Sequence, residues 1–365
     1  MKKRILAILL SAIMVLSMVA CASDDASSSD DSSADADALH FEVIVKSFQS
    51  TYWQAAVKGV ENACGELGVT ANCNGPATES DIADQIQMLD SAIEAKPAGI
   101  ALAACDTNSV LDSLQKALDA GVPVVCFDTG VADAPAGSVL ATVATDNIAA
   151  GACAAENIYP VIKEKVAAAT PDAQVRIGEV NQDATALNIQ QRGLGFIDKM
   201  IELCAADGKK VAVVGNEFFV NAATGAVAEA EADVILDIAV PANTTVENSS
   251  IEAQAILQKA DTIAIFGSNQ TTAEGVIAAN EVLNCLGADK IVAAGFDAGT
   301  PQKEAINNGV LIGSVTQSPL MMGYKCIYTL VDICNGKDVA DIPMDGYWYN
   351  TDNMADDNIA PNLYD

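Results

Sequence analysis

Short apolar runs ending in polar or acidic residues recur along this chain, separated by stretches whose apolar residues fall at helical spacing. This alternation constrains the fold more than any other feature. Strands buried on both faces read as unbroken apolar runs, and parallel strands need a crossover, usually a helix, between them. Lys290–Ala294 is one such run. Gly295-Phe296-Asp297 follow it, so an acid emerges at the carboxyl end of a strand, where open α/β sheets keep their ligands. Thr300 can cap a helix that opens with Pro301 and closes at Asn307-Asn308-Gly309. A second strand, Val310–Thr316, then delivers Gln317 before Ser318-Pro319 turns the chain away.

The same pattern holds earlier in the chain. Phe41–Val45, a weak Val69–Cys73, Gly99–Ala104 and Val122–Phe127 read as strands, the last ending at Asp128. Between them, helices start near Tyr52, at a Ser80 cap and around Val110, with Gly68 and Gly121 as stops. Asp146 reads as the N-cap of a helix from Ile148, which leads to the strand Val175–Val180 and its polar end, Asn181-Gln182-Asp183. A helix around Arg192–Cys204 carries Phe196, Met200 and Cys204 on one face. Lys210–Val214, Val234–Val240 and Thr262–Phe266 are further strands, and Ile251–Leu257 is helical. The expected class is α/β, with two doubly wound parallel-sheet lobes. Pattern alone cuts the chain once, near Ala144.

With 365 residues the chain suits two α/β lobes, and its net charge of −30 argues against a nucleic-acid partner. Lys2, Lys3 and Arg4 precede an apolar stretch, Ile5–Val19, too short for a typical membrane span, so residues 1–20 read as a secretory signal. Met18-Val19-Ala20-Cys21 resembles a bacterial lipobox, which implies cleavage before Cys21 and a diacylglyceryl group on its thiol. Residues 21–38 then form a lipidated, acidic, disordered tether of Ser, Asp and Ala. Nine further cysteines, an odd number with no CxxC, cannot all pair internally and read as small buried hydrophobes. The single histidine, His40, removes Ser-His-Asp and Cys-His catalysis and any multi-histidine metal site.

Several motifs taken in order carry a resemblance. They are Tyr52-Trp53 at a helix start, Ala120-Gly121-Val122-Pro123-Val124-Val125 with Asp128, Thr145-Asp146-Asn147, Arg192-Gly193-Leu194-Gly195-Phe196, Asn269, Gly295-Phe296-Asp297 and Gln317. From Phe41 to Gly346 the chain resembles the periplasmic-binding-protein-like sugar-binding proteins of ABC importers, of the ribose-binding type. That resemblance implies a type I solute-binding fold whose lobes are joined by a three-strand hinge. The crossings would lie near Thr145-Asp146, Gln317-Ser318 and Asp345-Gly346. It divides the chain into an N-terminal lobe, 39–145 with 318–345, and a C-terminal lobe, 146–317 with 346–365.

The resemblance also implies a ligand set: Ser50, Tyr52, Trp53 and Asp128 from one lobe, and Arg192, Asn269, Asp297 and Gln317 from the other. Aromatic faces suit the C–H patches of a sugar, and charged side chains make strong hydrogen bonds to its hydroxyls. Buried charges need partners, so Arg192 is expected beside Asp128 or Asp297. Each position also has a structural alternative. Asp128, Asn269 and Asp297 can cap or close turns, Trp53 can be core, Arg192 can form a surface ion pair, and Gln317 can satisfy hinge backbone. Lys46 stands near the family's small first-strand residue and is expected at the cleft rim, facing solvent, with contact to an anionic ligand group as the alternative. Thr129 stands where the ribose-binding type has a second arginine. The segment Gly208–Val240, with Phe218-Phe219, is longer than in that type.

The expected function is therefore capture of a sugar or related polyhydroxylated molecule and its delivery to an ABC permease. The protein would be a monomer, lipid-anchored on the outer face of the bacterial cytoplasmic membrane or periplasmic, with no enzymatic activity, cofactor or metal. A sensor passing its ligand-bound form to a membrane receptor would share every one of these features. A glycosidase would use Asp128 and Asp297 as a carboxylate pair. A sugar-responsive transcription factor shares the fold, but the lipobox and the lack of a basic helix-turn-helix argue against it.

Overall fold

Period-two alternation decides how the first strands are buried. In β1 (His40–Ile44), Val43 faces one helical layer and Ile44 the opposite one, so a helix must cover each side. The computed structural model describes residues 38–364; the expected signal peptide, Cys21 and the tether before Ala38 lie outside the described residues.

The first half continues through α1 (Thr51–Leu67), β2 (Thr70–Asn74), α2 (Ile82–Glu94), β3 (Gly99–Leu102), α3 (Leu111–Ala120), β4 (Val124–Phe127) and β5 (Ala141–Thr145). Ser50 caps α1 by accepting the Tyr52 N–H, and Gly68 ends it in a left-handed turn at φ 66°. The chain then enters α4 (Asn147–Ala168), β6 (Val175–Val180), α5 (Leu187–Ala206), β7 (Val211–Gly215), α6 (Glu217–Ala222), β8 (Val234–Ala239), α7 (Val246–Leu257) and β9 (Thr262–Gly267). After α8 (Gln270–Leu283), β10 (Val292–Phe296), α9 (Thr300–Asn307) and β11 (Ser314–Thr316), it returns to α10 (Pro319–Cys334) and β12 (Ile342–Met344), then crosses again to β13 (Tyr347–Tyr349).

Within the described residues the strands form two sheets. One has the order β12-β5-β4-β3-β1-β2 and is parallel throughout. The other runs β13-β11-β10-β9-β6-β8-β7, parallel except for the antiparallel edge strand β13, which the sequence did not announce. The chain changes sheet three times: after β5, after β11 and after β12.

Both sheets are covered on two faces. Tyr52, Trp53, Val60, Met322, Ile327 and Leu330 of α1 and α10 bury one side of the first sheet, and Leu89, Ile93 and Leu114 of α2 and α3 the other. On the second sheet, α4 and α5 pack against Phe266 and Phe296, while α7, α8 and α9 cover Ile265 and Ala293. Burial of each such side chain is worth roughly 1.5–3 kcal/mol. The inner helix pair of each lobe approaches closely through glycines. A Cβ at Gly59 or Gly323 would overlap backbone across α1–α10, and one at Gly151 or Gly195 would do so across α4–α5. Those pairs lock each lobe as a unit.

Some local expectations need correction. The pattern missed β5 as a strand. Helix α2 starts after Asp81 rather than at a Ser80 cap: the Ser80 hydroxyl is bonded to Thr244, and the Asp81 carboxylate accepts from the backbone and hydroxyl of Thr78 rather than capping the helix. Thr300 is the first residue of α9, behind Gly299, and the strand expected from Val310 begins only at Ser314. Ser318-Pro319 does not merely turn the chain; Pro319 opens α10. The long segment 208–240 holds edge strand β7 and α6, whose Phe219 is fully buried in the core against α5. All nine cysteines among the described residues are free thiols, with Cys105, Cys126, Cys204 and Cys326 buried and Cys334 exposed.

Candidate functional site

One local sequence occurs twice at corresponding places. Phe127-Asp128-Thr129-Gly130 follows β4, and Phe296-Asp297-Ala298-Gly299 follows β10. Both acids are buried and both sit in the left-handed region, at φ 61° and 71°. A non-glycine residue there carries a backbone cost on the order of 1–3 kcal/mol, so the surrounding structure must enforce it. The left-handed turn sends each carboxylate across the end of its sheet into the space between the lobes.

On the first lobe, Asp128 gathers donors. Its Oδ1 accepts the Tyr52 hydroxyl at 2.5 Å, and its Oδ2 accepts Thr129 Oγ1 at 2.8 Å. The Lys46 ammonium lies 3.5 Å away, only 1% exposed, so Lys46 is a buried cleft residue and not the solvent-facing rim residue expected. Burial pulls the Lys46 pKa down, but the carboxylates of Asp128 and Glu79 outweigh it and hold the ammonium charged. Trp53 donates its indole N–H to Glu79 Oε1 at 2.8 Å and meets the Tyr52 ring edge-on, with centroids 4.9 Å apart. Burial raises the Glu79 pKa, opposed by Lys46 and by the bonds from Trp53 and Gln182.

On the second lobe, Asp297 accepts the Gln270 backbone N–H at 3.0 Å and Gln317 Nε2–H at 2.6 Å. Burial pushes its carboxyl up to about 6; Arg192 and those two bonds pull the other way, and Asp128 adds to the rise. Arg192 bears on Asp297 as expected, but without a direct ion pair. It donates to Asn147 Oδ1 at 2.8 and 3.2 Å and to the Ser268 carbonyl at 2.9 Å, with its guanidinium 3.6 Å from the Phe296 ring centroid. Among the described residues it makes no ion pair within 4.0 Å. Its charge reaches Asp297 through space instead. Asn269 takes the structural role weighed for it, since its Oδ1 caps α8 through the Thr272 N–H, and its Nδ2 donates to Gln182 in the cleft.

All eight residues expected from the sequence line one cleft, four from each lobe: Ser50, Tyr52, Trp53 and Asp128, facing Arg192, Asn269, Asp297 and Gln317. Lys46, Glu79, Gln182, Asn188, Ile189, Gln270 and Thr271 line it too. Asn188 had a readable signal, since it lies one helical turn before Arg192 and so shares its face. Gln182 lies in the polar Asn181-Gln182-Asp183 run after β6, where the sequence pattern gives no single residue a role. Glu79 lies in the loop before α2, where nothing in the sequence separates a cleft acid from a helix-start acid.

Polar bonds cross the cleft directly. Asn188 accepts from Lys46 at 3.1 Å and donates to Asp128 at 2.9 Å; Gln182 donates to Glu79 at 2.7 Å. At the mouth Gln270 accepts from Ser50 at 3.2 Å and donates to Thr51 at 2.9 Å. The cavity left between these side chains is about 20 Å³, near the space that one water requires. A larger guest enters only when the lobes part and these bonds are exchanged for bonds to the guest.

The chain matches the family model described as periplasmic binding protein domain over residues 41–338. It is 25% identical to the D-allose-binding periplasmic protein of Escherichia coli (strain K12) over 307 residues, covering 81% of this chain and 84% of that protein. Among solved structures it resembles one described as an ABC transporter, LacI family transcriptional regulator from Brachyspira murdochii. There the TM-score is 0.74 at 30% identity, covering 90% of this chain and 99% of the other. An ABC transporter solute binding protein from Agrobacterium vitis with bound D-fucose gives a TM-score of 0.72 at 27% identity, with 89% and 100% covered.

Proposed function

The chain belongs to the periplasmic binding protein family, and on that premise we propose that it captures a sugar or related polyhydroxylated molecule between its lobes and presents it to an ABC permease. The observation that carries this reading is the composition of the cleft, which brings two aromatic rings, three acids, two cations and several amides together from both lobes. Such a set matches a ring with apolar C–H faces and hydroxyls that both donate and accept.

The mechanism is differential binding by two rigid walls. Tyr52 and Trp53 are held by Asp128 and Glu79, so their rings are already oriented before a ligand arrives. Sugar hydroxyls take over from Asn188 and Gln182 as partners of Lys46, Asp128 and Glu79, and from Gln270 as the partner of Ser50. Only contacts that exist with both lobes at once favour the closed form. We place the lobe boundaries at the three changes of sheet, giving 39–145 with 318–345 and 146–317 with 346–365. Gln317, at the second crossing, bonds both Thr145 at the first and Asp297 in the cleft. The lipobox-like Met18-Val19-Ala20-Cys21 supports a lipid anchor at Cys21, and with it a place on the outer face of the cytoplasmic membrane.

Native mass spectrometry of the purified protein, followed by thermal shift against pentoses, hexoses and sugar acids, tests the reading. The expected result is at least one stabilising monosaccharide whose effect falls at least tenfold in Asp297→Ala and Arg192→Ala. Stabilisation that survives both substitutions unchanged would remove the site assignment.

A further inference from the structure

The left-handed peptide at Asp297 is held by residues far along the chain. Tyr349 of β13, fully buried, donates its hydroxyl to the Asp297 carbonyl at 3.0 Å, and Ser314 donates to the same oxygen at 2.9 Å. The next peptide N–H, at Ala298, donates to the Tyr364 hydroxyl at 3.2 Å. Tyr364 ends the segment 350–364, which follows β13 and is fastened to the second lobe. Ile359 is buried among α7, α8 and α9, Thr316 donates to the Asn362 carbonyl at 2.8 Å, and Lys303 to the Tyr364 carbonyl at 3.2 Å. The same Tyr364 ring meets Tyr52 of the first lobe edge-on, with centroids 5.9 Å apart, and packs against the cores of both lobes.

We propose that Tyr364 is a positioning residue for solute capture, which reaches the cleft through Asp297 on one lobe and Tyr52 on the other without itself lining it. The inference rests on the solute-binding reading of the cleft. Tyr364 supplies two things. Its hydroxyl accepts the one peptide N–H that follows the strained acid, keeping the Asp297 carboxylate aimed across the sheet end. Its ring backs the Tyr52 ring and keeps water from the space behind both. Among the groups that bear on Asp297 are Arg192 from α5, Asp128 from the loop after β4, Tyr52 from α1, Tyr349 from β13 and Tyr364 itself, with Gln270 and Gln317 as bonded neutral partners. Removing Tyr364 is therefore expected to let water reach Asp297, an effect that the titration of Asp297 reads separately from overall stability.

The test uses the full chain with Tyr364→Phe and Tyr364→Ala and has two arms. In ligand-free protein, the carboxyl carbon-13 titration of Asp297 is followed and assigned with Asp297→Asn. The wild-type midpoint is expected at about 6; Tyr364→Ala is expected to lower it by roughly half a unit or more as desolvation is relieved. Tyr364→Phe, which keeps the ring, is expected to move it less. By calorimetry with D-allose, D-fucose and D-ribose, any sugar bound by the wild type is expected to lose about tenfold in affinity in Tyr364→Ala and less in Tyr364→Phe. An unmoved Asp297 midpoint in both variants overturns the inference, whatever the sugars do. Binding of none of the sugars, with the midpoint moved, removes the functional half of the proposal and leaves the positioning of Asp297 standing.

Discussion

Asp128 and Asp297 are the same local structure built twice, one on each lobe, and they differ in what surrounds them. Both follow a Phe at a strand end, both are buried, and both bend through the left-handed region. Asp128 has a hydroxyl on each oxygen, the Asn188 amide and a buried ammonium. Among the described residues Asp297 has only two bonded donors, both uncharged, and a guanidinium acting through space. The first acid is part of what keeps its lobe intact. The second is poorly compensated when ionised, and that shortfall is what incoming hydroxyl donors can supply. Equal geometry therefore does not mean equal energetics.

The largest expected effect separates the two directly. Asp128→Asn leaves the Lys46 ammonium buried without its carboxylate, and should cost about 3 kcal/mol or more. Asp297→Asn keeps a residue that tolerates the left-handed turn and removes a carboxylate that is costly to ionise. It should leave stability at pH 7.5 unchanged or raise it by up to about 3 kcal/mol. Urea denaturation of the two variants decides the matter; equal destabilisation would erase the distinction drawn between the acids.

A smaller effect concerns pH. In the unfolded chain Asp297 titrates near 4, and in the closed, unliganded fold near 6. A raised carboxyl pKa favours the fold while the group is protonated. Its contribution is thus complete below about pH 4 and is lost as pH rises through 6. Glu179 in β6 has the same sign: burial alone raises its carboxyl, and neither of its oxygens has a hydrogen-bond partner. The stability difference between wild type and Asp297→Asn should therefore fall between pH 4 and 7, with the Glu179 contribution common to both. Sugar binding should run the other way, tightening as pH passes 6 and releasing a proton detectable by calorimetry in two buffers. A pH-independent difference would show that Asp297 is not the poorly compensated member.

The contrast also marks where the sequence was legible. Strand ends were plain, because an apolar run followed by a polar residue is a local signal, and Asp128, Asn269, Asp297 and Gln317 sit just past such runs; the choice of these and of Ser50, Tyr52, Trp53 and Arg192 as ligands came from the family resemblance. Lys46 was not, since its burial depends on Asp128 and Asn188, both distant in the chain and one of them in the other lobe. The need of a buried charge for compensation points Arg192 toward an acid, and Asp297 does interact with it through space, but the direct contacts come from Asn147, a carbonyl and the Phe296 ring. The split of the first lobe left no trace in the pattern, because the α1–α10 contact joins segments with no local relation. Tyr364 carried no signal at all; its position is set by segment 350–364 folding back against two cores.

The three changes of sheet have a consequence for how the protein assembles. Residues 147–317 make up the second lobe apart from its edge strand and closing segment, and they are continuous. The first lobe is interrupted by that whole run, yet Met322, Ile327 and Leu330 of α10 fill its core. Bringing α10 back across a disordered loop on the order of 170 residues costs about 5 kcal/mol of chain entropy before any contact is made. Once the second lobe has formed, the gap shrinks to the short distance between its two ends, and most of that cost disappears. Refolding should accordingly run in sequence, with β6 and β9 gaining protection from hydrogen exchange before β1 and β3. Earlier protection of β1 would mean that the interrupted lobe assembles unaided.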